Sequence, residues 1–523
     1  MPFTEHRFFL LLTSTATFFL STAILPAAAP DALRQTANQA TVEYRNDLEK
    51  LAEWAGKQGL RAEALQTRSA VLPSESDKIY LPSFPLAVGT LDIPKGLPTM
   101  LPRKYATPFL ADASETAATD STIELAPRDV WAIQFRTLRM NYAKRLQLLA
   151  KTAVKDLRGS LAVQLAVAGL HANPDHDGFR TVFGFTKYKG EWRTPWEVER
   201  LKKDFVDHER FGWIPRKAVE RYEKGERYFN GEWMSEDDDV RKHSAIENGW
   251  KIESEHYDLT TNHSIEEGVR MVRQNENLYR AWKLLFFRYM ATDAQLATLF
   301  NGKMAPAPLD RHKIVLYRDR DDFLRAERSR GMKDPERFAG MYRSNDKGGC
   351  CYFYVSGSLM TMYHESTHQL FHETKKIAGG QMLSGVSKNE RSLNAWLGEG
   401  VAMFMSTLKI DDAGYYVIGT RNSGWIRSTK RRLQEDRFFL PFSDLVDIDG
   451  REWQTHDEMG ALYSQSAAMF QFLMFHENGR LREPLVVLLR LHYEQKDTRA
   501  SITQLTGMSY EELDAAFGSF LKE

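Results

Sequence analysis

The chain has 523 residues, 70 Lys+Arg against 70 Asp+Glu for a formal net charge of zero, and 42% hydrophobic residues. That apolar mass excludes a wholly disordered chain, and the absence of a basic excess argues against a nucleic-acid partner held by bulk charge. Its two cysteines, Cys350 and Cys351, are adjacent, which excludes a disulfide framework.

Phe8 to Leu25 is an uncharged, largely apolar run with Arg7 before it and Pro26-Ala27-Ala28-Ala29 after it. This pattern is that of a secretory signal over 1–29: a weakly positive start, an apolar centre and small residues for cleavage. The alternative is an uncleaved anchor, for which the run is short against the ~20 residues a spanning helix needs. The reading implies an exported chain, periplasmic or extracellular, with no stable membrane insertion after cleavage.

Residues 30–127 hold a helical hairpin and a Pro-rich connection. Tyr44, Leu48, Leu51, Ala52 and Ala55 fall at helical spacing, and Gly56 and Gly59 break it before a second helix near Leu60. Residues 128–249 open with a strong helix whose Trp131, Phe135, Leu138, Tyr142, Leu146 and Leu149 keep one face. Four tryptophans then follow glycines directly or at one remove: Trp192, Trp213, Trp233 and Trp250, spaced 21, 20 and 17 residues apart. We read a degenerate repeat of a turn, a short strand and a charged helix. Each Trp serves either as the core of a small unit or as an aromatic surface for a peptide or glycan.

A new domain is expected from 250 to 523. Ser254 to Thr261 reads as a strand, Ser264-Ile265-Glu266-Glu267 as a helix capping box, and a long helix follows to about Phe287. Lys313 to Tyr317 and Cys350 to Val355 read as further strands, and the remainder as almost wholly helical.

The chemistry-bearing motif follows the third strand: His364-Glu365-Ser366-Thr367-His368. Residues i and i+4 share a helix face, so both imidazoles reach one ion, and Glu365 reaches a water beside it. A catalytic zinc site usually adds a third protein ligand and keeps one open position. Glu399 is the natural third ligand, as the lone carboxylate early in the apolar helix Ala395-Trp396-Leu397-Gly398-Glu399-Gly400-Val401-Ala402-Met403-Phe404-Met405. Tyr463 opens another apolar helix, where a phenol can donate to a developing oxyanion.

His364 to His368 followed by Trp396-Leu397-Gly398-Glu399-Gly400-Val401-Ala402 resembles the gluzincin metallopeptidases, closest to the peptidase-MA-like group of exported bacterial proteins. The W-L-x-E-G-x-A string also resembles the M1-type aminopeptidases. The resemblance spans about 250–523. It implies an α+β, zincin-like metallopeptidase domain (a small mixed sheet plus helices) C-terminal to the helical and Trp-rich region. It further implies Zn2+ on His364, His368 and Glu399, Glu365 as general base, and Tyr463 as a matching family tyrosine. The Gly-x-Met-Glu-Asn motif by which aminopeptidases hold a free amine is absent, and the second His and third ligand stand further apart than in those enzymes.

Rival assignments remain at three places. His372 shares the face of His364 and His368, but eight residues of rise, about 12 Å, separates His364 from His372, and His372 and Glu373 are expected at a solvated helix end. Glu390 is a rival third ligand in a polar run. Cys350 and Cys351 are either two small core residues or a redox pair. The functional expectation is an exported zinc-dependent peptidase acting on a peptide or protein substrate. The alternative is a catalytically inactive binding protein that works through its Trp-rich units. An extended substrate is expected to pair with the strand near Tyr352 to Val355, if that strand is an edge.

Overall fold

The computed structural model describes residues 32–83, 97–102, 105, 124–303, 310–346, 348–374, 393–420 and 423–522. The Phe8–Leu25 run, much of the Pro-rich connection and Glu390 lie outside the described residues. The described chain is mostly helical, an α+β arrangement with small mixed sheets.

The expected hairpin is α1 (Ala32–Lys57) and α2 (Arg61–Arg68). A strand β1 (Ile79–Pro82) follows, then the long helix α3 (Pro127–Lys155) and the apolar α4 (Gly159–Ala172). After a short helix α5 (Asp177–Val182) come three small units. The first is β2 (Thr186–Tyr188), β3 (Glu191–Arg193) and α6 (Pro195–Lys202). The second is β4 (Phe205–His208), β5 (Gly212–Pro215) and α7 (Val219–Glu223). The third is β6 (Glu226–Phe229), β7 (Glu232–Ser235) and α8 (Glu236–Lys242).

Each unit therefore holds a two-stranded hairpin where the sequence suggests one short strand. The difference comes from the glycine turn, which lies inside the hairpin. Lys189-Gly190 and Asn230-Gly231 have φ of 50°, 89°, 48° and 93°, the all-positive pair a type I′ turn requires. The units join through a repeated contact, in which an aromatic ring from one helix or its C-cap packs on the next Trp. Trp196 meets Trp213 edge to face at 5.3 Å, Tyr222 meets Trp233 at 5.9 Å, and His243 stacks on Trp250 at 4.6 Å. The tryptophans are thus the packing links between units.

Trp250 opens the main sheet. Its strands are β8 (Trp250–Glu253), β9 (Tyr257–Thr261), β10 (His312–Tyr317), β11 (Met341–Arg343) and β12 (Cys350–Tyr354), in the order β11-β12-β10-β9-β8. β10 runs parallel to both neighbours, while β11 and β8 pair antiparallel at the two edges. β10 reads as the apolar run Ile-Val-Leu because a central parallel strand is covered on both faces. β12 is an interior strand, so it offers no edge to a substrate; the edge is β11. Cys350 and Cys351 are free thiols buried in β12, and burial pushes Cys350 up to about 11, which disfavours its thiolate.

The crossover from β9 to β10 carries α9 (Ile265–Met290) and α10 (Asp293–Phe300), and Ser264 caps α9 through the Glu267 N–H. α11 (Arg320–Ser329) follows β10. After β12 come α12 (Leu359–Thr374) and α13 (Ala395–Met405). Two short strands, β13 (Lys409–Ile410) and β14 (Tyr415–Ile418), form a second sheet with β1. The C-terminal part adds α14 (Gly424–Arg431), α15 (Phe442–Leu445), α16 (Gly450–Thr455), α17 (Met459–Gly479) and α18 (Arg482–Tyr493), with two further helices behind them. One apolar cluster runs from Leu48 and Leu161 through Trp282 and Phe371 to Phe472 and Leu489. Among the described residues no helix is long and apolar enough to cross a membrane.

α13 lies close against α17. A Cβ on Gly400 would stand 2.9 Å from the Ser466 carbonyl oxygen and 3.2 Å from the Phe470 Cβ. Gly400→Ala is expected to destabilise the protein by about 1–3 kcal/mol in urea unfolding, because the backbone of α17 must move. Gly424→Ala, in open space, is the control and leaves stability unchanged; equal effects at both positions would contradict the close approach.

Candidate metal centre

α12 carries the motif, and polar contacts on its buried face fix its position. Ser366 Oγ donates to Asn275 Oδ1 at 2.7 Å, and Tyr289 Oη donates to the Phe371 carbonyl at 2.7 Å, both from α9. Gln369 Nε2 donates to the Lys313 carbonyl of β10 at 3.1 Å. His364 and His368 project from the opposite face, with side chains 16% and 21% exposed, so solvent reaches them. α13 supplies the third group. Its N-cap Asn394 sits in the left-handed region (φ 56°), which asparagine tolerates. Asn394 holds the turn through Nδ2 to Asp497 Oδ2 at 2.8 Å and through the Trp396 indole at 3.1 Å.

The three groups converge. His364 Nε2 and His368 Nε2 are 3.2 Å apart, and Glu399 Oε2 is 3.3 Å from the first and 3.5 Å from the second. The two rings meet nearly perpendicular, at 81°. Bonds of about 2.0–2.2 Å in a tetrahedral arrangement, as zinc makes with imidazole and carboxylate, separate ligand atoms by about 3.3 Å. The observed triangle has that size. Glu399 Oε2 is also buried with no well-formed hydrogen bond, its polar neighbours being the two imidazole nitrogens at 3.3 and 3.5 Å. A buried carboxylate oxygen without a well-formed hydrogen bond is costly, and a cation removes the cost. Among the described residues this is the one group of three such side chains able to hold a metal ion.

The electrostatics agree. Burial pushes the Glu399 carboxyl up, but His368 and His364 outweigh it and hold the group well below the usual range. Burial pulls His368 down, and Glu399 and Glu365 reverse this, leaving the imidazole above its ordinary value. Burial also lifts Glu365, against the opposing pull of His364 and His368. Glu365 Oε2 accepts the main-chain N–H of Tyr342, on edge strand β11, at 2.9 Å. The Tyr463 ring, on α17, lies 6.5 Å from the His364 ring and packs edge to face on Trp453 at 5.5 Å. Burial, with Glu399 close by, raises its phenol.

The structure thus gathers His364, His368, Glu399, Glu365 and Tyr463 in one place. It departs from expectation at the end of α12. His372 and Glu373 are half-buried rather than fully solvated: Tyr342 Oη stands 3.0 Å from His372 Nδ1, and Glu373 Oε2 stands 2.5 Å from Nδ1 of buried His312. The start of β10 and the edge strand pack over that helix end, which a helical pattern alone does not reveal. The Ala339-Gly340-Met341-Tyr342 segment fits the resemblance, but the contact of Tyr342 with Glu365 had no signal in the sequence, since it uses the main chain.

No protein-family model matches the chain, and a search of curated proteins finds no match to it. A divalent ion titrated into the metal-free protein is expected to bind at this centre, and His364→Ala, His368→Ala or Glu399→Ala to abolish that binding. Because the proton competes with the ion for His368, affinity rises with pH through the raised His368 pKa and falls as His368 becomes protonated below it. Isothermal titration at several pH values measures this; binding independent of pH, or retained in all three variants, would contradict the assignment.

Proposed function

We propose that this chain is an exported zinc-dependent peptidase with a zincin-like catalytic domain in its C-terminal half. The observation that carries the proposal is the triangle of His364, His368 and Glu399, with Glu365 and Tyr463 beside it. Three protein ligands leave a position open, as a catalytic ion needs and a closed structural site does not. Zn2+ bound there supplies a Lewis acid that polarises the scissile carbonyl and acidifies a water to a pKa of ~7.

The remaining work belongs to the chain. Glu365 takes the proton of the attacking water and hands it to the leaving amine. One of its oxygens is held by the Tyr342 N–H, which leaves Oε1 to meet the water. The Tyr463 phenol keeps its proton at neutral pH, since burial raises its pKa, and donates to the oxyanion as the carbonyl becomes tetrahedral. An extended peptide adds to the edge strand β11 rather than to β12. The Phe8–Leu25 run delivers the protein outside the cytoplasm.

Glu365→Gln is expected to keep its zinc and lose about 10²–10⁴-fold in kcat against a peptide library cleaved by the wild type. Tyr463→Phe is expected to lose activity with zinc content unchanged. A zinc-loaded Glu365→Gln variant as active as the wild type would remove Glu365 from this role, and a zinc-loaded wild type that cleaves no peptide would remove the peptidase.

A further inference from the structure

Tyr342 makes two contacts with one helix face. Its main-chain N–H donates to Glu365 Oε2 at 2.9 Å, and its phenol oxygen stands 3.0 Å from His372 Nδ1. Glu365 and His372 are seven residues apart on α12, two turns and about 10 Å along the same face. From this geometry, and resting on the peptidase reading, we infer that Tyr342 and His372 are positioning residues that clamp β11 to α12 and so fix the carboxylate of Glu365.

The clamp is needed because β11 is a short edge strand. It has three residues and one neighbour, pairing Met341, Tyr342 and Arg343 with Tyr352, Cys351 and Cys350. A strand this short has few ladder bonds to hold its place. The phenol supplies the missing restraint at the far end of the motif helix. The Tyr342 and His372 rings lie 5.8 Å apart at 60°, so packing and polar contact act together.

The surroundings are shaped for this phenol. The turn into β12 passes directly over it at Gly349, whose φ of +115° few other residues adopt. A Cβ there would stand 2.9 Å from Tyr342 Oη and collide with Glu373 Oε1. Glu373 in turn is held by Gln369 Nε2 at 3.1 Å and by His312, and its carboxylate also accepts from the Tyr342 phenol, a second tie between β11 and the end of α12. The half-buried phenol is therefore flanked by the helix end, the turn and the sheet. If Oε2 of Glu365 is held by an N–H that cannot drift, only Oε1 is left to accept the proton, in one orientation. Displacing a catalytic group by about 1 Å can cost about 100-fold in rate.

The test compares Tyr342→Phe, His372→Leu and His372→Asn with wild type, all zinc-loaded. Leucine keeps the volume of His372 without its polar atom, whereas asparagine places a polar atom near the Nδ1 position. Peptide kinetics and zinc content are measured, together with hydrogen exchange of the residue-342 amide. Tyr342→Phe and His372→Leu are expected to lose about 10- to 100-fold in kcat with KM and zinc content unchanged, and His372→Asn to recover most of it. The residue-342 amide is expected to exchange faster in the two impaired variants and as in wild type in His372→Asn. Wild-type kcat and exchange in Tyr342→Phe and His372→Leu would overturn the inference, as would a His372→Asn variant no better than leucine. Should wild type cleave no peptide, the peptidase reading fails, and the amide exchange alone decides for or against the clamp.

Discussion

Two imidazoles and a carboxylate are brought within 3.5 Å of one another, with the carboxylate oxygen out of water. The rest of the site depends on that convergence. Removing Glu399 Oε2 from water is unfavourable by itself, and the two histidines beside it hold it ionised. The arrangement is poorly satisfied as a protein-only network and well satisfied around a small cation. That asymmetry distinguishes it from the chain's exposed ion pairs, such as Arg68 with Glu49, which contribute little either way.

Holding such a site requires rigid supports, and both helices have them. α12 is tied to α9 by Ser366 and by the Phe371 carbonyl, and to β10 by Gln369. α13 is fixed at its start by Asn394 and along its length by the close approach at Gly400. These contacts belong to one apolar cluster that also includes the N-terminal helices. The Trp-rich units attach to the same body through the His243–Trp250 stack at the head of the main sheet. Among the described residues, the N-terminal half is thus joined to the sheet that carries the site.

Much of the site was legible in the sequence because its signals are local or exceptional. The i, i+4 histidines share a face by helix geometry. Glu399 stands out as the one carboxylate in an apolar helix, and Tyr463 as a phenol opening another. The Trp spacing revealed the repeat, although not that the first three glycine turns lie within hairpins. What escaped is non-local. Strand order decides that β11 and not β12 forms the edge, and no periodicity within β12 encodes its neighbour. The polar end of α12 reads as solvated, yet β11 and β10 partly cover it through Tyr342 and His312. The Tyr342–Glu365 bond has no side-chain signature, since any residue but proline could donate that N–H.

The most direct measurement is X-ray absorption at the zinc edge on the zinc-loaded full chain. Two imidazole nitrogens with oxygen donors at about 2.0–2.2 Å in a four-coordinate shell, reduced to one imidazole in His364→Ala, is the expected result. A first shell with sulfur, with a single imidazole, or unchanged in His364→Ala would contradict the centre formed by His364, His368 and Glu399.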